Sequence, residues 1–152
     1  MPTKTASRVN RSPERPDGIR LRHTGAVDDD ELLERFAENT LPTFPHEEHL
    51  HVVFARSVRA DLDATVTFLR DGIMKMAAAN GNPGAYHETR TVAWIRIVAT
   101  ARAGFGGTFD EFLAAHPELR RRDLLDEHYS PELLNSDAAR ASFAEPDRAP
   151  LP

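Results

Sequence analysis

The chain has 152 residues, enough for one domain with its own core and too few for two. It has no cysteine, which excludes disulfides and thiolate metal sites and leaves His, Asp and Glu as the strong ligands. No stretch approaches the ~18 apolar residues of a spanning helix and no apolar signal segment follows the first charges, so a cytoplasmic protein with no membrane partner is expected.

The net charge of −5 is unevenly laid out. Lys4, Arg8, Arg11, Arg15, Arg20 and Arg22 stand against Glu14 and Asp17, so residues 1–25 carry +4 and the remainder −9. Residues 1–26 hold Pro, Ser, Arg and Gly without apolar periodicity and are expected to be a disordered basic arm, with a single domain over 27–152. A basic arm can reach phosphates, but it lacks stacking aromatics and the body behind it is acidic, which weakens a nucleic-acid reading. Arginine outnumbers lysine seventeen to two, a ratio read as the base composition of a GC-rich genome rather than a physical demand.

Structure is expected to begin at Asp28-Asp29-Asp30, acids that complement the start of a helix carrying Leu32, Leu33 and Phe36 and stopping before Pro42. A second helix runs from Pro45, suited to a first turn, to Ala60. A third spans roughly Leu62 to Asn80, buries Val66, Leu69, Ile73 and Met76, and stops at Gly81. After a loop that delivers Tyr86 and His87, a fourth helix covers about Ala85 to Ala103 and is broken by Gly104-Phe105-Gly106-Gly107. Thr108 and Glu111 form a capping box for a short helix ending near His116-Pro117. Another helix covers Glu118 to Glu127, and Ser130-Pro131 starts the last. With no alternating β pattern, the expected fold is all-α: an irregular bundle of four main helices plus short C-terminal ones.

The chemistry concentrates in histidines. On a helix, His46 and His49 share a face with Leu50, Val53, Phe54 and Ser57, and His87 shares one with Thr91, Trp94, Val98 and Ala101. Three imidazoles then point at one core, an arrangement that suits one transition-metal ion with open positions for water or substrate. The spacing His46-Glu47-Glu48-His49 is one residue short of the zincin motif, so a zincin protease is not expected. The competing reading has the three histidines donate to backbone carbonyls and carboxylates as structural residues. His51, off the apolar stripe, reads as a surface residue, and Trp94, Phe54, Phe68 and Ile97 read as core. Tyr86 and Glu88 flank His87 and are the candidates for moving a proton, although Glu88 also fits simple dipole complementarity. Arg90, one turn after Tyr86, is the candidate for binding an anionic substrate. The Arg120-Arg121-Arg122 run reads as a solvated helix face, and Asp147 as an acceptor folding back onto a histidine.

The chain resembles a family of small, mostly uncharacterised helical proteins with the order F-x-H-x-x-H-L, Y-H-E-T-x-T, F-D-E-F-L, Y-S-P-E-L-L and a closing P-D-x-x-P-L-P. Here these are Phe44 to Leu50, Tyr86 to Thr91, Phe109 to Leu119 (the third motif continuing as x-x-H/N-P-E-L), Tyr129 to Leu134, and Pro146 to Pro152. The resemblance implies the grouping of His46, His49 and His87 and an ordered C-terminal tail; it implies no reaction.

Two functions follow as expectations. One is a small-molecule metalloenzyme: zinc would serve hydrolytic or elimination chemistry through bound water, and iron or copper would activate oxygen. The other is a non-enzymatic helical protein that binds a small ligand or a metal.

Overall fold

Apolar residues recurring at helical spacing build the fold, and the computed structural model, which describes residues 25–152, is all-helical. The main helices are α1 (Gly25–Glu38), α2 (His46–Ser57), α3 (Leu62–Ala79) and α4 (Glu88–Arg102). Short α5 (Phe109–Ala115), α6 (Pro131–Leu134) and α7 (Asp137–Ala141) follow, with 3-10 turns at Pro83–Ala85, Pro117–Arg120 and Arg122–Glu127. No strand occurs among the described residues. None of their helices is long and apolar enough to cross a membrane.

Several boundaries differ from expectation for local reasons. The arm expected over 1–26 lies outside the described residues except for Gly25 and Ala26, which open α1 three residues before Asp28. Pro45 stands at the N-cap of α2 rather than inside it, and the helix ends at Ser57. α4 starts at Glu88, not Ala85, because His87 is its N-cap and accepts from the backbone N–H of Arg90. The single helix expected over 118–127 is two 3-10 turns. Its buried residues, Leu119, Leu124 and Leu125, do not recur at a helical interval. Ser136 divides the last helix in two by capping α7 through the backbone N–H of Ala139. At Thr108 both bonds of the expected capping box are present.

α4 lies centrally, packed against α2, α3 and α7, while α1 covers α2 and α3. Phe36, Leu50, Phe54, Leu69, Ile95, Phe112 and Tyr129 are fully buried between these elements. Gly72 on α3 faces α1, where the Phe36 ring occupies the space a Cβ would take. The core's rim is closed by arginines lying on phenyl rings: Arg56 on Phe68 at 4.6 Å, Arg102 on Phe54 at 4.2 Å and Arg96 on Phe143 at 4.3 Å. A planar guanidinium covers a ring face in a way a lysine ammonium does not, so part of the arginine excess has a physical role after all.

The C-terminal tail is strapped down. Asp147 accepts from the backbone N–H and hydroxyl of Ser130, not from a histidine as expected. The Tyr129 hydroxyl donates to the carbonyl of Ala144 at 2.9 Å, and the buried Thr89 hydroxyl donates to the carbonyl of Ser142 while accepting from the N–H of Ala144. These bonds fix the tail beside the start of α4.

Candidate functional site

Because α2 and α4 pack side by side with their first turns at the same end, residues 44–50 and 85–95 meet around a cavity of about 390 Å³. His46, His49, Tyr86, His87 and Arg90 all line it, so five of the six candidate residues converge. Its apolar wall includes Leu50 and Val53 of α2, Leu69 and Ile73 of α3 and Trp94 of α4. Trp94 is half-buried there, facing the cavity as well as the core.

Each imidazole has a distinct environment. His46 Nε2 lies 2.8 Å from the carbonyl oxygen of Leu119 and must donate to it, and its ring meets Trp94 edge-on at 4.6 Å. His49 stacks on Phe44 at 3.9 Å. Burial and then the neighbouring His46 charge push its pKa down to about 4, opposed by a hydrogen bond to the Phe44 backbone, with Arg122 adding the smallest push downward. His87 is buried with both ring nitrogens engaged: Nδ1 accepts from the N–H of Arg90 at 3.2 Å and Nε2 donates to the carbonyl of Leu134 at 2.7 Å. Burial lowers its pKa as well.

The pH dependence has a definite sign. His49 in the unfolded chain titrates near 6.5 and in the folded chain near 4, so its contribution is fully present above 6.5 and is lost as pH falls toward 4. We expect His49→Gln to flatten urea stability across that window by on the order of 1–2 kcal/mol, discounted for partial exposure. Parallel profiles for the two proteins would show that His49 is not the group responsible.

Glu88 does not line the cavity. Its carboxylate is held by the Arg70 guanidinium of α3 and accepts from the Tyr86 hydroxyl, and Arg70 keeps its pKa low. Burial and the same carboxylate push Tyr86 up to about 12. The expected proton-transfer pair is therefore an ionised carboxylate committed to arginine and a phenol that stays neutral.

Two residues at the site carried no sequence signal for it. Arg140 on α7 donates to the carbonyls of Gly84 and Tyr86, clamping the loop that carries the site. Arg122 is exposed, as expected of the run it belongs to, and also borders the cavity. His51 is not the surface residue expected, since it bonds Asp29 at 2.8 Å and stacks on Phe109 at 4.1 Å. It borders a larger cavity, about 490 Å³, rimmed by Asp29, Glu31, Glu47, Glu48 and Asp110, which contains none of the six candidate residues.

As placed, the histidines do not fit a three-imidazole metal centre. His87 has no free lone pair and His46 offers only Nδ1. Among the described residues no group of three or more His, Cys, Asp or Glu side chains is arranged to hold a metal ion. Comparison of the chain with protein families, curated proteins and solved structures finds no match.

Proposed function

We propose that the chain is a small-molecule-binding helical protein whose ligand occupies the cavity between α2, α3 and α4. The carrying observation is the convergence of His46, His49, Tyr86, His87 and Arg90 from separate segments on one cavity with an apolar wall. A concave site with an apolar lining and a few convergent polar groups is the usual form of a ligand pocket, and this volume lies in the usual range of ~300–1,000 Å³. Binding is favoured over proton-transfer catalysis because His49, Tyr86 and Glu88 are all held away from neutrality in their titration.

Trp94 is the only tryptophan and stands on the cavity wall, so its emission reports occupancy. The neutral dye N-phenyl-1-naphthylamine is expected to bind saturably with one dye per chain, drawing energy transfer from Trp94. Ile73→Phe, which narrows the cavity, should abolish that transfer while leaving the helices intact. Absence of saturable transfer in the natural chain would sink the proposal.

A second reading, a metalloenzyme of hydrolytic or oxygen-activating type, is supported by the three histidines lining the same cavity. It requires His87 to give up one of its two bonds. Elemental mass spectrometry on untagged, chelator-free protein decides it. About one equivalent of zinc, iron or copper, lost in His46→Ala and His49→Ala variants that remain folded, would establish the centre. No metal after anaerobic reconstitution would remove it.

A further inference from the structure

We propose that the ligand of this cavity is an organic anion: a compact apolar body carrying one carboxylate or phosphate group, held by Arg90 and Arg122. The inference rests on the small-molecule reading above and deepens it.

The charges around the cavity carry the inference. Among the described residues its lining includes two arginines and no Asp or Glu, although acids outnumber bases in the chain and rim the other, larger cavity. Of the acids that neighbour lining residues in sequence, Glu88 is turned to Arg70, Glu47 and Glu48 border the other cavity, and Asp123 pairs with Arg121. Among the described residues the Arg90 side chain reaches only the neutral amide oxygen of Asn135, at 3.2 Å. Arg122 is exposed and has no side-chain hydrogen bond or ion pair among the described residues. Both guanidinium charges are close enough to disfavour protonation of the cavity's histidines, Arg122 at His49 and Arg90 at His87. α2 and α4, of 12 and 15 residues, also begin at this cavity, so the positive ends of both helices add to the same field.

An anionic group between the two guanidiniums would give both a charge-assisted partner, and the planar fork matches a carboxylate or a phosphate alike. The apolar body is called for by Leu69, Ile73 and the Trp94 ring behind them. An inorganic anion would leave that wall uncovered, and a cation would meet two like charges.

The test is displacement of N-phenyl-1-naphthylamine from the full chain by phenylacetate, phenyl phosphate, phenylacetamide and inorganic phosphate, followed by energy transfer from Trp94. Phenylacetate or phenyl phosphate is expected to displace the dye at concentrations at least about tenfold below those of phenylacetamide, and inorganic phosphate to leave it in place. Arg122→Gln should weaken the organic anion, measured relative to the variant's own dye affinity, by about tenfold or more, the scale of losing a hydrogen bond to a charged group, with melting temperature unchanged. Arg122→Lys should recover part of the loss. Displacement by the amide as readily as by the acids would overturn the anion inference while leaving a small-molecule pocket. Displacement by inorganic phosphate alone would overturn the organic body. Failure of the dye itself to bind would overturn the underlying reading instead.

Discussion

Gly72→Ala is expected to destabilise the natural chain by about 1–3 kcal/mol and to become neutral or stabilising once Phe36 is alanine. The Phe36 ring is fully buried, and a Cβ on Gly72 would overlap its Cε1 and Cζ and lie 3.0 Å from Cδ1. The ring also meets Phe44 at 5.0 Å and Phe68 at 5.3 Å, so it cannot retreat without disturbing both. Phe36→Ala alone should cost about 3–5 kcal/mol, the sum of lost burial and the cavity left behind. In that background the overlap vanishes. What remains is the gain of about 0.5–1 kcal/mol for alanine over glycine inside a helix. Urea denaturation of the two single variants and the double variant reads the cycle. A Gly72→Ala cost that persists unchanged without the ring would show that the α1 to α3 approach is not what that glycine serves.

His87→Ala is expected to cost about 2–4 kcal/mol, assembled from about 1 kcal/mol for the lost helix cap and about 1–3 kcal/mol for leaving the buried Leu134 carbonyl without a donor. Asparagine is a good N-cap but too short to reach Leu134, so His87→Asn should recover about 1 kcal/mol of that loss. Equal stabilities for the two variants would remove the cap from the account. A loss below about 1 kcal/mol for alanine would mean that the bond to Leu134 contributes little. The size of this effect is also why metal retention is better judged at His46 and His49: a site lost with the fold reports nothing about ligation.

The helices were legible because their signals are local. Apolar spacing placed α1 to α4, the Thr108 and Glu111 pair announced α5, and Ser130 with Pro131 announced α6. The segment after His116 carries no such signal: a proline start and a pair of adjacent buried leucines are compatible with an α-helix or with the 3-10 turns found there. At the site, the three histidines were found because their positions along α2 and the loop are visible in the residue order. That they could donate to backbone carbonyls was one of the two readings the sequence allowed, but which carbonyls was not legible, because they lie 73 residues from His46 and 47 residues from His87. A carbonyl belongs to every residue and leaves no mark in a sequence. Arg122 was hidden for a related reason. In a run of three arginines, only the path of the 3-10 turns decides which one turns toward the cavity.

The doubly bonded His87 ring has a further consequence on the time axis. A proton on Nε2 that is locked to a buried carbonyl trades places with solvent only when α6 parts from the start of α4, so it should be long-lived for an imidazole. The same parting would release the His87 ring, which lines the cavity, from its anchor. The exchange rate of that single ring proton is therefore a clock for how often this edge of the site comes loose, and a ligand packed against the ring should slow it.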